Sequence, residues 1–113
     1  MHITKTNELV EYSPNGHYNM VARRAHGKDI DDTKILTIGR SEFNPGGGAE
    51  ASAVKDNMEL VYYIVEGTMT LTCEEKDYEL NAGDSVMFKS GEVRSVKNNT
   101  DKNAVMLVIA GVN

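Results

Sequence analysis

The sequence predicts a single-domain, all-β protein, and three observations carry that prediction. The regular segments have period two and are rich in Val, Ile, Thr and Tyr, while no long stretch sustains a period of 3.6. Clusters of Gly, Pro, Asn and Asp cut these segments at short intervals, the cadence of a sandwich or barrel. The length of 113 residues, 40% hydrophobic and 26% charged, suits one core and leaves no room for two. The domain is expected to span 1–113, with residues 1–16 as an N-terminal arm and the barrel core over about 18–110.

Taken in order, the stretch Met1–Ser13 holds one apolar cluster, Leu9-Val10 with Tyr12, and reads either as a short helix or as an arm docked on the body. Strands are predicted at Tyr18–Ala25, Lys34–Phe43, Leu60–Glu66, Thr68–Glu74, Tyr78–Leu80, Ser85–Phe88, Arg94–Asn98 and Ala104–Ala110. Between the first two, Gly27–Thr33 carries Lys28, Asp29, Asp31 and Asp32 and reads as a solvated loop. It lacks the glycine and terminal glutamate of a calcium loop. Asn44-Pro45-Gly46-Gly47-Gly48 is predicted as a turn, Glu66-Gly67 as a tight hairpin with positive φ at the glycine, and Asn81-Ala82-Gly83-Asp84 as the start of a new strand.

Two strands, Val61-Tyr62-Tyr63-Ile64-Val65 and Val105-Met106-Leu107-Val108-Ile109, are apolar on both faces. A strand covered on one side alternates with polar residues, so these two call for a second covering layer, and a homodimer is the expected source. In Met69-Thr70-Leu71-Thr72-Cys73 the alternation puts Cys73 with Met69 and Leu71, as an inert core thiol.

The net charge of −5 repels polyanions, and the longest basic run is only Arg23-Arg24, so neither nucleic acid nor an anionic membrane is an expected partner. The single cysteine cannot form an intramolecular disulfide, and no window has the length of a signal peptide or a membrane span. A cytoplasmic location is the default expectation, and the sequon Asn98-Asn99-Thr100 is then incidental.

Two motifs resemble those of the cupin family. Pro45-Gly46-Gly47-Gly48, a loop and then Glu59 to Gly67 are similar to the first cupin motif, and Gly83 to Asn98 is similar to the second. The joining segment Thr68–Ala82 holds a hairpin's worth of residues, and the resemblance covers roughly Lys34 to Ala110. It implies a cupin-like jelly-roll β-barrel. Metal-binding members carry two histidines one residue apart, then a glutamate, then a third histidine in the second motif. In this sequence those positions fall at Ala53 and Lys55, or Val54 and Asp56, then at Leu60 and Arg94. The three histidines, His2, His17 and His26, all lie upstream, so no metal or other cofactor is expected. The only metal alternative is an unusual set of Glu50, Glu59 and His17 or His26.

The inward-facing positions of such a barrel would place Arg94, Tyr62 and Lys55 near its mouth, with Glu50 or Glu59 at the rim. A guanidinium is a permanent charge with a planar donor fork, so Arg94 can hold a carboxylate in place of a metal. Tyr62 can donate a hydrogen bond or move a proton, and Glu50 is a candidate base. The competing account makes Arg94 half of a buried ion pair with Glu50 or Glu59 and Tyr62 a core aromatic. No direction can be assigned to His17, His26, Arg23 or Arg24. The expected function is metal-independent binding of a small anionic, carboxylate-bearing metabolite. The alternatives are a metal-free isomerase, epimerase or lyase using Arg94 with Tyr62 or Glu50, and a metal-dependent oxygenase or isomerase with atypical ligands.

Overall fold

The computed structural model describes residues 1–112. A 3-10 turn at Thr6–Glu8 leads into β1 (Val10–Tyr12), β2 (His17–Gly27), a single helical turn α1 (Lys28–Asp31), β3 (Thr37–Ala53), β4 (Met58–Glu66), β5 (Thr68–Cys73), β6 (Lys76–Asn81), β7 (Ser85–Phe88), β8 (Val93–Lys97) and β9 (Ala104–Val112). The arm is therefore neither helix nor free tail: β1 pairs antiparallel with β2 from Val10↔Arg24 to Tyr12↔Ala22. The predicted loop at Gly27–Thr33 contains α1 and closes with Asp32 in the left-handed region. No helix among the described residues is long and apolar enough to cross a membrane.

The strands hydrogen-bond in the order β6-β5-β8-β3-β9-β4-β7, with β2 along the free edge of β3. Strand β3 is the spine. Its first half pairs with β9 from Thr37↔Ala110 to Phe43↔Ala104, and its second half pairs with β8 from Gly48↔Lys97 to Ala53↔Val93. One strand thus crosses from one wall of a jelly-roll barrel to the other. The predicted turn at Asn44–Gly48 is the bend in that strand. Gly46 takes φ 81°, and a Cβ at Gly47 would overlap the Asn19 carbonyl while one at Gly48 would overlap the Val96 carbonyl. The glycines are there so that three backbones can approach closely, which a turn reading of the same residues misses.

The bend is clipped from below by Asn98, which is fully buried. Its amide donates to the carbonyls of Phe43, Asn44 and Lys102 at 3.2, 3.3 and 2.7 Å, and its Oδ1 accepts from Thr100 N and Oγ1 at 3.0 and 2.7 Å. Glu66-Gly67 is not a hairpin either. Gly67 has the expected positive φ, 78°, but β4 pairs with β7 and β9 and β5 with β6 and β8, so the chain turns a corner between walls there. The hairpin of this region joins β5 to β6 through Glu74 and Glu75, both at positive φ.

The core follows the alternation. Leu60, Tyr62 and Ile64 of β4, Ala104, Met106 and Ala110 of β9, Met69 and Leu71 of β5, and Phe43, Phe88 and Val96 are buried, with Cys73 packed against them as expected. The opposite faces of β4 and β9 present Val61, Tyr63, Val65, Leu107 and Ile109 outward, beside Met87 of β7. Tyr63, Val65 and Met87 are each more than 40% exposed.

Candidate functional site

Arg94 shares the inner face of β8 with Val96 and lies opposite Ser52 of β3 and Cys73 of β5. Its Nε donates to Tyr62 Oη at 3.2 Å, and its Nη1 donates to the Ser52 carbonyl at 2.5 Å and to Ser52 Oγ at 2.7 Å. The guanidinium carbon stands 5.9 Å from the centre of the Tyr62 ring, which packs edge-on against Phe88 at 5.3 Å. Burial pushes the Tyr62 phenol above its ordinary value of 10.0, and the charge of Arg94 pulls it part of the way back. At neutral pH Tyr62 is therefore a neutral hydroxyl, a donor and acceptor but not a base.

The charge pattern singles out the same residue. Arg23 faces Glu11 and Glu42 at 3.5 and 3.6 Å, Arg24 grips Asp29 at 2.7 Å, and Arg40 pairs with Glu42. Among the described residues Arg94 is the one arginine of the four with no carboxylate within ion-pair distance, so the ion pair with Glu50 or Glu59 does not form there. Ser52 and Tyr62 hold the guanidinium in place through neutral acceptors.

The remaining candidates are dispersed. Glu50 is exposed and lines a groove on the outside of the wall, Lys55 is exposed in the β3–β4 connection, and Glu59 lies on the outer face of β4 opposite Gly111. Of the five residues singled out by the sequence, the structure brings together Arg94 and Tyr62. Ser52 was missed because strict alternation does not place it there. A bulge between Ala49 and Ser52 shifts the register of β3 against β8 and turns Ser52 toward Arg94. The glycine run just upstream was the only sign that β3 is irregular.

The residues do not fit a divalent metal. Leu60 is in the apolar core and Arg94 carries a cation where the family places ligands. His17 Nδ1 lies 3.0 Å from the Asn15 carbonyl, while His26 Nδ1 bonds Asp31 Oδ2 at 2.5 Å beside the edge of the His2 ring. That hydrogen bond holds the Asp31 carboxyl below its ordinary value. Among the described residues no three His, Cys, Asp or Glu side chains converge, so the unusual set with Glu50 and Glu59 is not assembled. Arg24 meanwhile grips Asp29 and lies over the Tyr12 ring at 4.8 Å.

Two clefts approach this region. One, about 340 Å³, opens between the edge strands β6 and β7 and is lined by Leu71, Cys73, Leu80, Val86 and Phe88, the ring that packs on Tyr62. The other, about 290 Å³, runs past Cys73, Glu74, Val93 and Arg94.

A profile of the cupin domain matches residues 39–110. The protein named β-D-galactosidase Rv1717 of Mycobacterium tuberculosis is 31% identical over 108 residues, covering 96% of this chain and 91% of its own. Among solved structures, a predicted oxalate decarboxylase from Thermotoga maritima superposes with a TM-score of 0.81 at 20% identity, over 99% of this chain and 100% of its own. The polyketide cyclase RemF of Streptomyces resistomycificus gives a TM-score of 0.84 at 18% identity, over 97% of this chain and 78% of its own. At those identities the structures speak for the fold alone. The profile match over most of the barrel, the full-length relative and the shared architecture agree, and the chain belongs to the cupin family.

Proposed function

We propose that this cupin binds a small, oxygen-rich anionic metabolite, a carboxylate of sugar-acid type, at Arg94, and that it does so without a metal. The observation that carries the reading is the guanidinium whose hydrogen-bond partners among the described residues are neutral, since a held positive charge beside a neutral phenol favours a carboxylate, which can accept from the Nη2 end that the bonds to Ser52 and Tyr62 do not use. Ser52 and Tyr62 hold the donor fork still, so little entropy is lost when the ligand arrives. The sugar-derived class is favoured by the relative named as a β-D-galactosidase.

The test is a thermal-shift screen with D-galacturonate, D-gluconate and oxalate, and with methyl β-D-galactoside as an uncharged control. At about 100 times its dissociation constant a ligand adds about 2.7 kcal/mol of stability. Stabilisation by an acid but not by the glycoside, lost in Arg94→Ala, is the expected result. An unchanged response in a folded Arg94→Ala variant sinks it. Stoichiometric iron, manganese, nickel or zinc in untagged protein would overturn the metal-free part.

A second reading, hydrolysis of a β-galactoside, is favoured by the 31% identity to Rv1717 over nearly the full chain. Glycoside hydrolysis ordinarily needs two carboxylates about 5–10 Å apart, and the partners of Arg94 include none. Release of nitrophenol from nitrophenyl β-D-galactoside, abolished by Arg94→Ala or Tyr62→Phe, would establish it. A metal-free isomerase or lyase using Tyr62 as acid is the remaining enzyme reading, and turnover of a stabilising acid would reveal it.

A further inference from the structure

The wall formed by β6, β5, β8, β3 and β2 has a second face, turned away from Arg94 and the core, and its side chains form a pattern that the barrel site does not use. Leu71 and Val96 pair across β5 and β8 on the inside, so their sequence neighbours point out. Two adjacent outer rows result. One runs Asp77, Thr72, Ser95 across β6, β5 and β8, and the other runs Thr70, Lys97, Gly48, Tyr18 across β5, β8, β3 and β2. These residues, with Glu50 at the β3 side, line a groove of about 330 Å³, within the usual small-molecule range of about 300–1,000 Å³.

The groove is shaped by particular side chains. Gly48 leaves a gap in the outer row, and the Tyr18 hydroxyl lies 2.9 Å from where a Cβ there would stand, so the half-exposed phenol leans over β3 as one flank. On the other flank Thr72 Oγ1 donates to Asp77 Oδ1 at 2.6 Å, which fixes the carboxylate and leaves Oδ2 outside that bond. Between the flanks lie the hydroxyls of Thr70, Thr72 and Ser95 and the amine of Lys97.

A flat aromatic, two carboxylates, an amine and a lattice of hydroxyls match a ligand with many hydroxyls and one apolar face. Two carboxylates against one amine disfavour an anion, and the polar lining disfavours a hydrocarbon. We propose that this outer groove is a binding site for an uncharged pyranose unit, stacked on Tyr18 and hydrogen-bonded by Asp77, Lys97 and Glu50. It is separate from the Arg94 site and does not depend on it.

The experiment is a two-dimensional amide NMR titration of the whole chain with the methyl pyranosides of glucose, galactose and mannose and with a linear hexose trisaccharide. Saturable shifts at Thr70, Thr72, Asp77, Ser95 and Lys97 are expected with at least one sugar, and they persist in Arg94→Ala. Asp77→Asn weakens binding by about tenfold, as does losing a hydrogen bond to a charged acceptor. If that variant misfolds, Lys97→Ala, an exposed position, serves in its place. Tighter binding of the trisaccharide identifies a unit within a chain, and equal binding a single residue. The absence of saturable shifts with every sugar at tens of millimolar overturns the proposal, as do shifts confined to the surroundings of Tyr62 and Arg94 that vanish in Arg94→Ala.

Discussion

Replacing Asn98 by alanine tests how the bent spine strand is held. The side chain is fully buried and its amide ties the carbonyls of Phe43 and Asn44, where β3 enters the bend, to that of Lys102 in the loop before β9. Its oxygen accepts twice from Thr100. The two amide hydrogens and the two accepted bonds make about four hydrogen bonds, each worth about 1 kcal/mol net and more where the abandoned group stays buried, so Asn98→Ala is expected to cost about 3–5 kcal/mol. For a chain of this length that is about 4 °C of melting temperature per kcal/mol, or about 12–20 °C in all. The assay is urea unfolding followed by far-ultraviolet circular dichroism, read as a fall in midpoint at constant slope. Asn98→Asp keeps the shape but turns a donor toward three carbonyls into an acceptor, so at pH 7 it destabilises at least as much as alanine. A cost below about 1 kcal/mol for alanine, or wild-type stability of the aspartate variant at pH 7, would refute the reasoning.

The glycines of the same bend separate two kinds of constraint. Gly48→Ala forces a Cβ onto the Val96 carbonyl and is expected to cost about 2–4 kcal/mol, whereas Gly46→Ala meets open space and bears only its positive φ, about 1–2 kcal/mol, as denaturation midpoints will show. Tyr62 is buried and its phenol is raised, so its contribution is present below the ordinary tyrosine value of 10.0 and is lost as pH rises toward the folded value. Tyr62→Phe should therefore flatten the decline in stability above pH 10, and ultraviolet titration should lose a phenolate component that ionises above the ordinary tyrosine value. A homodimer through the outer faces of β4, β9 and β7 predicts a light-scattering mass twice the 12.4 kDa of the chain, reduced to the monomer by Tyr63→Lys with Val65→Lys. A monomeric wild type at micromolar concentration refutes it.

Some of this protein is determined by its sequence alone, because the information is local. Period-two alternation placed β4, β5, β7 and β9 within a residue or two at their starts and put Met69, Leu71 and Cys73 on one face, since adjacent strand residues must point to opposite sides. The order of the two glycine-marked motifs carried the family, and the sequence alone put Leu60 and Arg94 at two of the positions where metal-binding members carry ligands. What tertiary structure decided depends on partners far apart in the chain. Only packing against Asn19, Val96 and Asn98 makes the glycines of β3 a bend within one continuous strand, and only the bulge after Ala49 brings Ser52 to Arg94, 42 residues away. The neutral company of Arg94, the outward turn of Glu59 and the assembly of Tyr18, Asp77 and Lys97 on one outer wall likewise follow from register, which no single segment encodes.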